Sequence, residues 1–337
     1  MISFLIWCAF VLGVAGALSV CVLAVRRALL ARFERRRLEA EIALRPVALS
    51  LLEGEDVDVE ELDDREVLVL ADLVGRFGRL VRGVDTERIA SFFERQGWVE
   101  RQLRAAHSVR AWRRATAAFA LGDMGSRRAI PTLLALMDDN TREVRAAAAR
   151  SLGRLGATEA VEPLVYGFAE RRLPRSIDGQ ALLAIGPAAL ERLRPLAGAA
   201  EPEARAFAVE LVGLLGDASD DRLLVERLRD TSAEVRARAA RALGRLGAEE
   251  ATAELTRALD DRIAFVRAAA ATALAAVGDR RAVPRLLVLA QQDQFDAAHA
   301  AARAAATIAP DAVSEAARRP GAAAHLLEAA DLISARA

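Results

Sequence analysis

Side chains that carry enzymatic chemistry are scarce in this sequence and lie far apart. It contains three histidines, His107, His299 and His325, and two cysteines, Cys8 and Cys21. The histidines have no cysteine or paired carboxylate near them at the spacing of a metal site, and neither a glycine-rich phosphate loop nor a nucleophile elbow is present. We therefore predict no catalytic residue, no cofactor and no metal ligand. Each histidine is interpreted as an ordinary surface or core residue.

The polar residues that do recur at a fixed spacing are aspartate and arginine. An aspartate stands six residues before three arginines of a repeated pattern. Since the aspartate would end one pair of helices and the arginine would open the next, we expect a charge-assisted hydrogen bond within each pair and a ladder of such pairs along the chain. The predicted ladder consists of Asp139–Arg145, Asp230–Arg236 and Asp261–Arg267, with Arg114, Arg175 and Arg205 at the equivalent arginine positions.

These arginines mark a sequence repeat of about 31 residues. Between each arginine and a glycine eleven residues later, apolar residues such as Val144, Ala148 and Leu152 lie on one face of a helix. A second helix follows, with a proline in its first turn in three units. Each unit is therefore predicted to be a two-helix hairpin that must stack on its neighbours to bury its apolar face. The glycines are Gly125, Gly156, Gly186, Gly216, Gly247 and Gly278, and a weaker seventh unit has Ala298 and Ala309 at the two positions.

The full repeated pattern is Asp-x5-Arg with Val before the Arg, then Ala-Ala, Leu-Gly-x-x-Gly and Ala-Val/Ile-x/Pro-x-Leu-Leu. It resembles the HEAT-repeat family, in particular the short HEAT-like repeats of the phycobiliprotein lyases, over residues 110–315. The resemblance implies an all-α protein whose main part is an α-solenoid of about seven two-helix repeats. It also implies that the aspartate–arginine ladder is structural.

The first residues of the chain are strongly apolar. Residues 2–25 contain no charged side chain and would form a helix of about 36 Å, which is enough to cross the roughly 30 Å hydrocarbon core of a bilayer. Arginines follow this segment and none precedes it, so the positive-inside rule places the N-terminus outside and the rest of the chain in the cytoplasm. We predict a single-pass anchor in the plasma membrane. The alternative is a cleaved signal peptide, with small residues at positions 15–17 as the cleavage site. Small residues on one face of the span would allow it to pack against a second membrane helix: Ala9, Gly13, Ala17 and Cys21.

The predicted domain order is a transmembrane helix in residues 1–25, a basic and then acidic neck in residues 26–66, a helical N-terminal cap in residues 67–112, and the solenoid with its C-terminal cap in residues 113–337. Within the neck, we expect a helix that continues from the membrane and ends before Pro46. The acidic part is interpreted as a solvated linker or a helix start. As alternatives, it folds back on the preceding arginines or contacts a basic partner.

The third repeat departs from the pattern at a core position. Other repeats have small apolar residues three and four positions after the arginine, whereas this repeat has Asp178 and Gly179. A buried carboxylate costs several kcal/mol unless it is paired or solvated. One interpretation is that the helix starts after Pro174 with Asp178 as its N-terminal cap. The other is a recess for a partner, with Ser176, Asp178 and Gln180 on its edge.

Composition and charge limit the function classes. The 47 basic residues, all arginine, balance 47 acidic residues, and the repeat positions of Arg150 and Arg241 hold Gln180 and Glu210 in other units. No continuous basic stripe results, so we expect no nucleic-acid partner. Only 4% of the residues are aromatic, which disfavours a buried ligand pocket. We interpret Trp112 as a core residue.

We therefore predict that the protein is not an enzyme but a membrane-tethered scaffold, which contacts the bilayer through residues 2–25 and binds a membrane-associated protein with its cytoplasmic solenoid. Proteins that resemble it, with one N-terminal span followed by short HEAT-like repeats, occur in bacterial envelopes. The resemblance thus implies a membrane protein of envelope biogenesis, such as a glycosyltransferase, as the partner. The alternative is an enzyme or chromophore-attachment factor similar to the bilin lyases.

Overall fold

The computed structural model describes residues 20–21, 23–24, 26–27, 34–35, 37–55, 57, 59, 62–78, 86–170, 173–293 and 295–335. Every regular element formed by these residues is helical, which confirms the all-α prediction. The chain divides into two compact units, Met1–Thr132 and Leu133–Ala337.

The first unit has a small aromatic core. The rings of Phe92 and Trp98 pack edge to face with centroids 5.8 Å apart, and Phe93 lies 5.5 Å from Phe92. These side chains come from the stretch in which the sequence predicts a helical cap, and helices form most of the described residues of that stretch. The helices of the unit are α1 (residues 37–53), α2 (Asp64–Gly78), α3 (Thr86–Arg95), α4 (Trp98–Ala105) and α5 (Ala111–Asp123).

Helix α1 does not end before Pro46, as the sequence suggests, but continues to residue 53. A proline inside a helix removes one backbone hydrogen bond. Leu44, Ala48 and Leu51 form one buried face of α1 that extends on both sides of the exposed Pro46. Burial of this face stabilises the helix across the proline and offsets the lost bond.

Helix α2 begins within the acidic part of the neck. Asp63 Oδ1 accepts hydrogen bonds from the backbone N–H groups of Arg65 and Glu66 at 2.7 and 2.8 Å, and Glu66 Oε2 accepts from the N–H of Asp63 at 2.9 Å. This reciprocal cap satisfies donors that the first turn of a helix leaves open. The interpretation of these residues as a helix start is confirmed. Arg37 from the basic part of the neck pairs with Asp72 of α2 at 3.2 Å.

From α6 onward, longer helices alternate with shorter ones, as expected for a series of hairpins. The prediction of a stacked helical repeat is confirmed for this part of the chain. The helices are α6 (Ile130–Leu136), α7 (Arg142–Arg154), α8 (Val161–Ala169), α9 (Arg175–Ile185), α10 (Leu190–Leu196), α11 (Pro202–Leu215), α12 (Asp221–Arg227), α13 (Ala233–Leu246), α14 (Thr252–Ala258), α15 (Ala264–Val277), α16 (Val283–Gln292), α17 (Phe295–Ile308), α18 (Pro310–Ala317) and α19 (Ala324–Ser334).

Long helices of consecutive repeats pack side by side in the second unit. Glycine permits the closest approaches between them. A Cβ atom added at Gly213 would lie 2.3 Å from the Cβ of Ala242, and one added at Gly244 would lie 2.7 Å from the Cα of Ala273. These residues are the first glycine of the repeated Gly-x-x-Gly pattern, so the spacing between helices explains why the pattern needs a glycine there.

No helix formed by the described residues is long and apolar enough to cross a bilayer. The predicted transmembrane segment, residues 2–25, lies outside the described part of the chain except at positions 20, 21, 23 and 24. Ala9, Gly13 and Ala17 of the predicted packing face also lie outside it. The fourth residue of that face, Cys21, is an exposed free cysteine.

Candidate interaction surface

A ladder of arginine side chains connects consecutive repeats of the second unit. In one rung, Arg236 Nε and Nη2 donate to the two carboxylate oxygens of Asp261 at 2.6 and 2.9 Å, and Nη1 donates to the backbone carbonyl of Asp230 at 2.9 Å. Arg236 is only 7% exposed, so these charge-assisted bonds are shielded from water. Arg205–Asp230 and Arg267–Asp293 form rungs of the same kind.

The predicted side-chain pairing within a repeat is wrong for Asp230–Arg236 and for Asp261–Arg267. The sequence pattern pairs the carboxylate of Asp230 with Arg236, but Arg236 binds only the backbone carbonyl of Asp230 and directs its carboxylate contact to the next repeat. The reason is that the backbone N–H of Ser232 donates to the Asp230 carboxylate at 2.8 Å, which helps to orient it toward the arginine of the preceding repeat. The same contact to the carbonyl six residues earlier joins Arg114 to Ser108, Arg145 to Asp139, Arg205 to Ala199 and Arg267 to Asp261.

Ion pairing sets the protonation of the ladder. Burial by itself raises the pKa of Asp230 and of Asp261, but hydrogen bonds from the arginines and from backbone N–H groups outweigh it and hold both pKa values below the ordinary range. The bond to Asp261 raises the pKa of Arg236 further. The ladder is therefore fully charged at neutral pH, and its polar atoms are engaged in holding repeats together.

The ladder is interrupted at the third repeat. Arg175 is half exposed and pairs with Glu203 in the first turn of α11. Ala199 occupies the repeat position that an aspartate fills in the later repeats, so the next repeat offers Arg175 no aspartate there. The Arg175 guanidinium lies 5.5 Å from the ring centroid of Phe168, which in turn stacks on Phe207 at 3.8 Å. An ion pair as exposed as this one adds little stability.

Asp178 lies in the core of the same repeat. Helix α9 does start after Pro174, but it begins at Arg175 and no side chain caps it, so the interpretation of Asp178 as its cap is wrong. The Asp178 side chain is fully buried, and neither carboxylate oxygen has a hydrogen-bond partner. Burial raises the pKa of Asp178 from 3.8 to about 7. Ser176 and Gln180 are exposed, so the structure does not bring the three residues to one edge.

The solvent-facing side of the long helices carries mixed charge. Arg245 on α13 donates to Glu210 on α11 at 2.9 Å, and Arg238 donates to Glu234 at 2.7 Å. Arg241 is exposed between them. The alternation of acidic and basic side chains leaves no uniform field over the described residues of α11 and α13, and such a field is what attracts a phosphate backbone.

Exposed apolar side chains lie along α5 in the first unit. Trp112 is 62% exposed, Phe119 is 37% exposed, and Val109, just before the helix, is 95% exposed. Trp112 and Phe119 are seven positions apart and therefore share one face of the helix. The guanidinium of Arg113 lies 5.3 Å from the Trp112 ring centroid. The prediction that Trp112 is a core residue is wrong, because it occupies the repeat position of the exposed Glu143.

A cleft of about 550 Å³ lies between α6 and α8. Its lining combines apolar side chains, Leu134 and Met137 among them, with the carboxylates of Asp138 and Glu162 and the phenol of Tyr166. None of the residues that line it is a histidine, cysteine or serine. The cleft thus offers shape and negative charge for binding.

One cluster of ionisable residues forms from side chains that the sequence places far apart. His299 and His325 are distant in sequence, but their rings lie edge to face with centroids 5.8 Å apart, and Glu328 lies beside them. Two features of the sequence point to this cluster. The separation of the histidines is close to the 25 residues that join Arg236 to Asp261 across adjacent repeats, and His325 and Glu328 are three positions apart on one helix. The structure thus brings together two histidines that lie far apart in the sequence.

Comparison with known families identifies the class of protein. A family model that describes HEAT repeats matches residues 103–182 and 222–307. The matched residues, just under half of the chain, are therefore similar to HEAT repeats, the family that the repeated sequence pattern resembles. The structure is that of an α-helical repeat protein. No curated protein matches the sequence.

Three solved structures resemble the chain at low similarity. Human deoxyhypusine hydroxylase in complex with glycerol is 20% identical with a TM-score of 0.33, and the match covers 81% of this chain and 98% of that one. An engineered protein is 21% identical with a TM-score of 0.37, covering 82% and 80%. The Escherichia coli protein YibA is 17% identical with a TM-score of 0.40, covering 75% and 99%. Similarity at this level carries no argument about what the protein does.

Proposed function

We propose that the protein is a non-catalytic scaffold that binds a protein partner through the exposed face of α5. The observation that carries the proposal is the exposure of Trp112 and Phe119 on one face of α5 and of Val109 just before the helix. Tryptophan and arginine are the residues that most often dominate binding energy at protein interfaces, and here Arg113 lies against the Trp112 ring. Aromatic side chains that remain in water in a chain with few aromatics are typical of a surface that a partner covers.

The use of the polar residues supports a scaffold over an enzyme. HEAT repeats stack into extended surfaces on which a long partner can lie. The buried Arg205 and Arg236 hold consecutive repeats together through Asp230 and Asp261. A chromophore-attachment activity would need a reactive group in a pocket, whereas the residues that line the cleft between α6 and α8 offer carboxylates and one phenol.

The proposed interface is tested by photo-crosslinking in membranes of the native cells. A photo-reactive amino acid at Thr116, which is exposed between Trp112 and Phe119, is expected to crosslink a specific protein. The same amino acid at the exposed Thr272 on α15 is the matched control and is expected not to capture it. Trp112→Ser should abolish the Thr116 crosslink while the far-UV spectrum and melting temperature stay unchanged. Capture of the same proteins from both positions, or a crosslink that survives Trp112→Ser, contradicts the proposal.

We further propose that residues 2–25 tether the scaffold to the plasma membrane, with the repeats in the cytoplasm and a membrane protein of envelope biogenesis, such as a glycosyltransferase, as the partner. The support comes from the sequence, in which an uncharged segment of bilayer length precedes a group of arginines. The complete chain is expected to stay in membranes washed with alkaline carbonate, and a chain that lacks residues 1–25 is expected to be released. Release of the complete chain argues against the anchor.

A further inference from the structure

The C-terminal end of the second unit brings three side chains with metal-binding atoms together. His299 lies on α17, and His325 and Glu328 lie on α19. One potential ligand atom of each residue lies within 4.8 Å of the others, and His299 Nδ1 is 3.8 Å from Glu328 Oε2. All three residues are at least partly open to solvent, so an ion can reach them without unfolding of either helix.

Contacts outside this cluster hold the two helices in place. Helices α17 and α19 pack against each other, and Leu326 of α19 is buried. The turn before α19 is fixed by Gln291 of α16, whose Nε2 donates to the carbonyl of Gly321 at 2.8 Å and whose Oε1 accepts from the N–H of Ala323 at 2.9 Å. Because His325 follows two residues after Ala323, this clamp positions the His325 backbone independently of any ion.

We propose that His299, His325 and Glu328 form a binding site for a divalent transition-metal ion, and that zinc is the ion that fits it best. Metal–ligand bonds of about 2.0–2.2 Å put the ligand atoms of a tetrahedral zinc site roughly 3.3–3.6 Å apart. The His299–Glu328 distance is already close to that value. Small rotations of the side chains, above all of the exposed Glu328, bring the three ligand atoms to bonding distance.

The donor set selects the class of ion. Two imidazoles and one carboxylate suit zinc, cobalt and nickel, whereas magnesium and calcium prefer sites made of oxygen atoms alone. With three protein ligands, a water molecule occupies the fourth position of the tetrahedron, and this position is exchangeable. The ion links α17 to α19, and it therefore joins the last long helix to the C-terminal helix that follows it.

The test uses the complete chain, purified in detergent without a polyhistidine tag and with Cys8→Ser and Cys21→Ser so that thiolates cannot bind the ion. Cobalt(II) is the probe, because a tetrahedral cobalt site absorbs visible light much more strongly than the hydrated ion. We expect one cobalt per chain with this absorption, displacement of cobalt by zinc, and no displacement by the same concentration of magnesium.

Substitutions test which residues bind the ion. His299→Ala and His325→Ala are each expected to weaken cobalt binding by more than about tenfold, and Glu328→Gln, which keeps the shape of the side chain, is expected to weaken it as well. His107→Ala removes the histidine outside the cluster and should leave binding unchanged. Zinc should raise the melting temperature of the parent chain but not that of His299→Ala, and without metal the two should melt alike. The proposal is overturned if the tetrahedral absorption does not appear, or if it persists at full affinity in the Glu328→Gln variant and in either histidine variant that folds.

Discussion

Two successive junctions between long helices use the same repeat positions in different ways. Between α11 and α13, the buried Arg205 holds both carboxylate oxygens of Asp230 at 2.7 Å, and Gly213 permits close approach of the helices. Between α9 and α11, Arg175 is half exposed and Leu183 stands at the glycine position. Helix α9 accordingly makes far fewer contacts with α11 than α11 makes with α13.

The core position of the repeat shows the same contrast. Asp178 of α9 corresponds to Ala208 of α11, and both side chains are fully buried. One repeat therefore lacks the buried arginine–aspartate pair, the close approach of helices and the apolar core residue that the next repeat has. Because each repeat in a stack is stabilised mainly by its neighbours, we expect the junction between α9 and α11 to be the least stable of those in the second unit and to open first.

The largest expected effect comes from Asp178→Ala, which restores the residue type of the other repeats. The folded-state pKa of Asp178, about 7, lies above the 3.8 of the unfolded chain. The folded state therefore binds this proton more tightly, and the free energy of unfolding falls as the pH rises from about 4 to about 7. Removal of the carboxylate should stabilise the protein at pH 8 by up to roughly 4 kcal/mol, and by much less at pH 4.5. Urea unfolding at both pH values measures the difference, and Glu191→Ala on the exposed side of α10 is the control.

Substitution of Arg236 and of Arg175 should have different effects on stability, and both effects are smaller than that of Asp178→Ala. Arg236→Ala should lower the free energy of unfolding by about 3 kcal/mol, because Asp261 is left buried without its partner. Arg175→Ala should cost less than about 1 kcal/mol, since its pair with Glu203 is exposed. Urea unfolding of the double variant Arg236→Ala/Asp261→Ala should show a smaller loss of unfolding free energy than the sum of the losses in the two single variants. Equal losses for Arg236→Ala and Arg175→Ala would remove the contrast between the junctions.

The close approach of helices is tested by a single added methyl group. Gly213→Ala should destabilise the protein by about 1–3 kcal/mol, because the new Cβ atom collides with Ala242 and forces α11 and α13 apart. Gly167→Ala in α8 is the matched control, since a Cβ atom there meets nothing within 4 Å. That variant should be neutral or slightly more stable, because alanine favours the helix. Thermal melts of the two variants that shift equally would refute the steric explanation.

The smallest expected effect is on how the free energy of unfolding declines at acid pH. Because ion pairing lowers the pKa of Asp261 in the folded protein, its stabilisation is complete above the ordinary aspartate pKa and is lost as the pH falls through the lowered value. Asp261→Asn should therefore show a shallower decline in the free energy of unfolding between pH 4 and pH 2 than the parent. Asp296→Asn, at an exposed position on α17, should keep the parental slope.

The sequence predicts the hairpins well because their spacing is a local property. The arginine and glycine markers define where each long helix begins and ends, and no distant contact alters them. The partner of Arg236 was not predictable in the same way, because Asp261 lies in the next repeat and its approach depends on how closely two helices pack. The unusual position of Asp178 is visible in the sequence. Whether it caps α9 or enters the core depends on which residue caps the helix, and the cap differs by only four positions between the two cases.

The other errors have similar causes. Pro46 signals a helix end locally, and the buried face of α1 overrides that signal. Trp112 is apolar, and apolarity alone does not tell a core residue from an exposed one. His299 and His325 meet only because α17 and α19 pack together, and the pattern within a single repeat contains no information about that contact.

Each ladder arginine bonds to the aspartate of the following repeat, and this arrangement limits how the chain can change length. If residues 206–236 were excised, Arg205 would meet Asp261 at the same sequence separation at which it now meets Asp230. Duplication of a whole repeat would likewise leave every guanidinium matched. An insertion or deletion that moved an arginine out of reach of the next aspartate would leave both side chains buried without partners, at a cost of several kcal/mol. We therefore expect insertions and deletions that arise in this part of the protein during evolution to comprise whole repeats.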